Sequence, residues 1–310
     1  MTRRRGGGRS PVLVTLAALF TALSLIVSAG CGPAQQGIDG DLADGWPSFE
    51  EPVQFVPEPG TCHTVEMAIG LREDYAPFDC SQWHFLETAH VGSFADDPND
   101  RNYPPDVVQP VRQAAREACE EPVAEFLGGP WQAGRFRLIV VVPSQPAWDG
   151  GARWFRCDLG IVERPGDPLV SRMGSAAGAM AIDDHALRLR CFDSAAVGAD
   201  DALLVEPLGC DSPHQAEFVG AYVEDRLSFG DVESNPDSVH DRCRSEVARY
   251  AGVPDDDDLQ YRAGTIYTNP SDADWHDGDR TIRCFVWRTD PLLTRSVRGG
   301  GTNALPIQYE

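Results

Sequence analysis

One short pattern of chemically able residues occurs twice in this 310-residue chain, as Cys80-x-x-x-His84-x-x-Glu87 and as Cys210-x-x-x-His214-x-x-Glu217. A thiolate, an imidazole and a carboxylate so close together could bind zinc, which takes sulfur, nitrogen and oxygen ligands. Against this, a Cys engaged in a disulfide has no thiolate to offer. Moreover, a His in a turn and a Glu opening a strand three residues later should point to opposite faces. The competing reading has the His holding its loop by hydrogen bonds and the Glu pairing with Arg153 or Arg280 of a neighbouring hairpin.

Other residues invite weaker chemistry. Asp272, Asp274, Asp277 and Asp279 suggest a hard cation such as calcium, but Gly278 is misplaced for an EF-hand and the matching stretch Ser144 to Ala147 carries no acid. The run Asp255 to Asp258 reads as a solvated loop. Trp148 and Trp275 could stack on a ligand or simply pack a hairpin. Arg153, Arg156, Arg280 and Arg283 could grip an anionic envelope polymer or pair with nearby carboxylates. Neither a Gly-x-Ser-x-Gly elbow, a Walker loop nor His-Glu-x-x-His occurs, and no cofactor is expected.

Charge and targeting narrow the setting. The chain carries 26 basic and 48 acidic residues, a formal net charge of −22, and every basic residue is Arg. Such a surface repels nucleic acid. Arg3, Arg4, Arg5 and Arg9 precede an apolar run from Val12 to Val27 and then Ser28-Ala29-Gly30-Cys31. This is the layout of an export signal, and its end resembles the lipobox of bacterial lipoproteins, with Cys31 as the residue to be acylated. An uncleaved membrane anchor is the alternative, since the run approaches the length that spans a bilayer. Either way the bulk lies outside the membrane. Without residues 1–30 the formal charge becomes −26, because that segment holds four Arg and no acid.

Nine Cys minus Cys31 leaves eight, an even number that reads as disulfides in an exported chain. They fall into two sets with intervals of 18, 39 and 38 residues and of 19, 33 and 41. Their surroundings match as well. Cys119-Glu-Glu-Pro-Val123-Ala124 parallels Cys243-Arg-Ser-Glu-Val247-Ala248, and Trp148 to Cys157 parallels Trp275 to Cys284. The chain is therefore one module present twice, which keeps bridges within each set.

Within a module, apolar residues spaced by three and four between Asp106 and Leu127, and between Asp237 and Tyr250, predict a helix ended by Gly. The runs 136–142, 154–159, 261–267 and 281–287, rich in β-branched and aromatic residues, predict strands joined by turns. The expected class is α+β: two tandem disulfide-stabilised modules, each an antiparallel sheet packed with one helix. The expected layout is a signal over 1–30, a tether over 31–44, modules over 45–160 and 181–290, a linker over 161–180 and a tail over 291–310. Strands at 61–67 and 187–192 would place the first Cys beside the fourth, and a helix folding back would bring the second to the third. The expected bridges are thus Cys62–Cys157, Cys80–Cys119, Cys191–Cys284 and Cys210–Cys243.

The pattern Cys210-Asp-Ser-Pro-His214-Gln-Ala-Glu217-Phe-Val-Gly, then Cys243, then Trp275-x-x-Gly278-Asp279-Arg280-x-x-x-Cys284, is similar to the actinobacterial septum-formation-related domain. The first half resembles a diverged copy, with Trp83 where Pro precedes the His and Gly151-Ala152-Arg153 where the second half has Gly-Asp-Arg. The resemblance implies an exported protein linked to division or the envelope and brings no catalytic residues. Two functions remain in play. One is a non-catalytic, lipid-anchored binding or scaffolding protein on the outer face of the cell membrane, with an envelope or division protein or polymer as partner. The other is a metal-dependent envelope enzyme built on the His and Glu pairs.

Overall fold

The computed structural model describes residues 54–65, 75, 77–94, 102–106, 110–164, 167–196 and 202–308. Cys31, the export signal and the tether lie outside these residues. Residues 54–310 belong to a single compact unit that contains two sheets.

The first sheet is built from β1 (Cys62–His63), β2 (Leu86–Ser93), β3 (Phe136–Val141), β4 (Trp154–Val162) and the short β5 (Leu169–Val170). Its order is β1-β2-β4-β3, with β5 also on β4, and all pairings are antiparallel. The second sheet has β6 (Cys191–Ala196), β7 (Ala202–Leu208), β8 (Ala216–Val223), β9 (Gly264–Thr268) and β10 (Thr281–Trp287), in the order β7-β6-β8-β10-β9. One long helix crosses one face of each, α1 (Pro110–Leu127) and α4 (Pro236–Ala251). The second opens on Pro236, whose missing N–H and fixed φ suit a first helical position, and both stop before a Gly with positive φ, Gly128 and Gly252. The α+β class follows the sequence reading, with one long helix between strands of an antiparallel sheet in each module.

Differences arise where the elements are short or irregular. The β3–β4 and β9–β10 hairpins each contain a single helical turn, α2 (Gln145–Asp149) or α5 (Asp272–His276), where simple turns were expected. Ser271 starts the second by accepting a hydrogen bond from the Asp274 N–H. The strand expected at 187–192 begins instead at Cys191 and pairs with the unexpected β7, an edge strand that tolerates Pro207. The strand expected at 61–67 is reduced to β1, and residues 66 and 67 lie outside the described ones. Two further short helices among the described residues are α3 (Phe229–Ser234) and α6 (Gly301–Ala304).

The bridges run first to second and third to fourth: Cys62–Cys80, Cys119–Cys157, Cys191–Cys210 and Cys243–Cys284. They stay within each module, but the expected partners are wrong. Cys119 and Cys243 lie on the buried stripe of their helices, and the strand beneath is the central β4 or β10, so each helix is bolted to the middle of its sheet. The first Cys starts β1 or β6, the strand next to β2 or β8, and the second sits in the loop that leads into β2 or β8, so that bridge ties the loop to the strand beside it.

The expected linker and tail also need correction. Ala176, Ala179 and Met180 are buried in the core between α1 and the first sheet, and Leu293, Val297 and Leu305 occupy the corresponding core of the second. Each segment wraps back onto its own helix at the same point, Gly178 N–H to the Phe126 carbonyl and Gly299 N–H to the Tyr250 carbonyl, both at 2.9 Å. They are the last element of each repeat, and we call them cover segments. Burying Leu305 alone, which has no exposed surface, contributes roughly 1.5–3 kcal/mol.

The two modules are joined by buried guanidinium groups. Arg283 on β10 donates to the carbonyls of Gln132 (2.9 Å) and Phe136 (3.2 Å) in the first module. Arg137 meets Asp274 at 3.3 Å and Arg116 meets Asp279 at 3.6 Å. Trp131, almost fully buried, lies against both Arg116 and Arg283. The free face of the second sheet is thus covered by the first module. The corresponding face of the first sheet is met by Phe55 and Tyr75, which pack on Trp154, His63 and Arg156.

Candidate functional site

Each His and Glu pair lies where a loop enters the strand that carries the Glu. His84 Nδ1–H donates to the Gln82 carbonyl at 2.8 Å, and His214 Nδ1–H donates to the Ser212 carbonyl at 2.7 Å. The His backbones exchange both hydrogen bonds with the cover segments, His84 with Arg172 and His214 with Leu293. These are isolated bridges, so strand alternation does not govern the side chains. His214 Nε2 consequently comes within 3.9 Å of Glu217 Oε2, with both side chains buried. The expectation that His and Glu point to opposite faces fails here.

Each Glu is held by its cover segment. Glu87 accepts from Arg172 Nη2 (2.6 Å), Ser175 Oγ (2.5 Å) and the Ala176 N–H (2.7 Å). Glu217 accepts from Tyr250 Oη (2.7 Å), Ser296 Oγ and the Val297 N–H (2.8 Å). The Ser hydroxyl and the following amide recur in both copies, whereas the third donor is exchanged. The positions of Arg172 and Phe126 in the first copy are taken by Leu293 and Tyr250 in the second. Neither Glu pairs with the hairpin Arg expected from sequence. Arg153 instead caps the carbonyls of Trp148 and Ala152 and lies 4.1 Å over the Trp148 ring, and Arg280 lies over Trp275. Both Trp are buried core residues, and so are Arg156 and Arg283, which reach Asp158 and the module interface rather than solvent.

The exchanged donor changes the electrostatics. Burial pushes His84 below its ordinary range, and the Arg172 guanidinium adds to this beyond what Gln82 and Glu87 recover. Burial also works against charge on His214, yet the neighbouring Glu217 carboxylate and the hydrogen bond to the Ser212 carbonyl outweigh it and hold the imidazole above its ordinary value. Glu217 stays below the usual carboxylate range because His214, Ser296, Val297 and Tyr250 together overcome burial.

As a metal site the arrangement is poor. Cys62, Cys80 and Glu87, and likewise Cys191, Cys210 and Glu217, bring three potential ligand atoms within 4.8 Å of one another. In each trio the two sulfurs are bonded to each other and carry no thiolate, and the carboxylate already faces three donors. The aspartates considered for calcium have other partners: Asp274 and Asp279 serve the module interface, and Asp277 lies in the field of Arg112 and Arg116.

A second constellation escaped the sequence reading. In the first module Thr88 Oγ1 donates to Asp158 Oδ1 at 2.8 Å and lies 2.9 Å from His63 Nε2, while Arg156 Nε donates to Asp158 Oδ2 at 2.8 Å. All four residues are at most 2% exposed. Burial, with Arg156 and His84 nearby, lowers His63 to about 3, so the imidazole is neutral. It donates to Thr88, which donates in turn to Asp158. A hydroxyl between imidazole and carboxylate has the parts of a nucleophile, but with no exposed surface it meets no substrate. The signal lay in the residues directly after the first Cys, the Glu and the fourth Cys. These are His63, Thr88 and Asp158 in one copy, and Phe192, Phe218 and Phe285 in the other.

No curated protein and no solved structure matches the chain. A family model described as septum formation matches residues 59–284 in one span that runs through both sheets. That span covers well over half of the sequence, and the chain belongs to the septum formation family.

Proposed function

We propose that the chain is a non-catalytic binding or scaffolding protein, lipid-anchored through Cys31 on the extracytoplasmic face of the cell membrane and serving septum formation through an envelope or division partner. The observation that carries this reading is the use made of the two Glu. The His and Glu pattern present in both copies is buried, and each Glu is engaged in fastening its cover segment, leaving neither carboxylate to serve as a base or ligand. The Ser28-Ala29-Gly30-Cys31 sequence supports the anchor, and eight paired Cys suit an oxidising compartment. Among the described residues no helix is long and apolar enough to cross a membrane.

The test is a His214→Gln/Glu217→Gln variant assayed for unfolding and metal content. A stability loss with no metal in either protein is expected; stoichiometric metal in the wild type that vanishes in the variant would reverse the reading in favour of a metal-dependent enzyme. For the anchor, mass spectrometry of Cys31→Ala should show an N-terminus without acyl chains, and a product still cleaved and acylated would refute it.

A further inference from the structure

The strand β8 has an unfinished edge. Its β10 side is paired out to Val223, but β6 covers the other side only at Ala216 and Glu217. After the Phe218 N–H reaches the Arg190 carbonyl at 2.7 Å, no strand among the described residues lies along Val219 to Val223. That edge forms the floor of a groove of about 760 Å³, and five extended residues give it a length of roughly 17 Å. An open edge of this kind offers backbone donors and acceptors to an incoming strand.

The walls of the groove carry four arginines, beside Asp183 and Asp184, in a chain of formal charge −22. Arg188 and Arg190 line it from the segment before β6, Arg249 from the last turn of α4, and Arg298 from the cover segment. The bridges and covers align the two modules, and the same four places in the first module hold Pro59, Thr61, Glu125 and Ala177. The charge is therefore a property of one copy and not of the fold. Asp184 pairs with Arg190 at 2.9 Å and Glu246 pairs with Arg249. The Asp184 side chain is 82% exposed, so this pair is weakly held and open to exchange with a ligand carboxylate.

We propose that this groove binds an extended acidic peptide, which adds as a strand to β8 while its carboxylates meet the four arginines. The proposal rests on the binding role above and names its site and partner class. Backbone pairing favours a peptide over an anionic polymer, because a polymer would use the arginines and leave the strand edge unmet.

The probe is a blocked decapeptide alternating Glu and Val, titrated against the full chain with its disulfides intact, with the Lys/Val peptide and inorganic polyphosphate as comparators. The acidic peptide should bind, weaken with added salt, and slow amide exchange at residues 219–223. Arg249→Glu/Arg298→Glu should weaken binding at least about tenfold. Arg298→Glu alone, at an exposed position, should weaken it with an unchanged melting temperature. Equal binding of the Lys/Val peptide, no binding at all, or polyphosphate binding without protection of 219–223 would each overturn the groove. Photo-cross-linking in intact cells separates this from the broader reading: an envelope partner captured through another face would sink the groove and leave the binding role standing.

Discussion

The two modules share a backbone plan and differ at the three places that face away from the helix. In the first, His63, Thr88 and Asp158 form a hydrogen-bonded chain closed by Arg156. In the second, Phe192, Phe218 and Phe285 pack edge to face, with centroids 5.6 and 5.7 Å apart. One fold thus accepts either a hydrogen-bonded polar network or an aromatic cluster between the same strands. The comparison teaches that burial is the constraint, since each solution leaves no unmatched charge. The Glu latch repeats the lesson on a smaller scale: a charged third donor, Arg172, in one copy and a neutral one, Tyr250, in the other.

The largest expected effect comes from deleting a cover. A chain ending at residue 290 loses Leu293, Val297, Leu305 and two of the three donors to Glu217, and the second module should fail to fold. A native-like circular dichroism melt for that chain would show the cover to be dispensable. Next is the polar network. Asp158→Ala strands the Arg156 charge and should cost about 3–5 kcal/mol, similar in size to Phe285→Ala, at about 3–5 kcal/mol. The contrast lies in rescue. Replacing His63, Thr88 and Asp158 by Phe together with Arg156→Met should restore most of the loss, because a buried polar network can often be exchanged for packed apolar groups at little cost. Denaturant midpoints of the single and combined variants decide this.

The pH response should also divide the modules. His63 and His84 are lowered in the folded state. Unfolding therefore takes up protons below about pH 6.5, and the first module loses up to about 1.4 kcal/mol per pH unit per group as pH falls toward their folded values. His214 is raised, so its contribution is present below about pH 6.5 and is lost as pH rises through its folded value. Amide exchange from pH 5 to 8 should show protection of the first sheet falling toward acid, and His63→Phe should flatten that trend. The smallest effect is Tyr250→Phe, which removes one donor to Glu217 and should cost about 1–2 kcal/mol, whereas Phe126→Tyr adds a hydroxyl beside a Glu that already has its donors and should bring no gain.

Much of the architecture was legible in the sequence. The helices around Cys119 and Cys243 and the strands around Cys157 and Cys284 show a clear period, and the Cys surroundings match between the two halves. The bridge partners were not legible, because they depend on which face of the helix lies over which strand. The covers were misread because Ser175-Ala-Ala-Gly178 has the composition of a loop, yet small residues there let the backbone amide approach Glu87 closely. The His and Glu were singled out correctly, but their convergence depends on the backbone bridge to residues 172 and 293, which no local spacing reveals.

The central claim is that each Glu fastens its own cover, and the most direct measurement is amide exchange at Ala176 and Val297 after substitution of one Glu at a time. Glu87→Gln should deprotect Ala176 and its neighbours while leaving Val297 unchanged, and Glu217→Gln should do the reverse. Covers that keep full protection in both variants would contradict the latch and return the repeated His and Glu to the list of groups awaiting a chemical role.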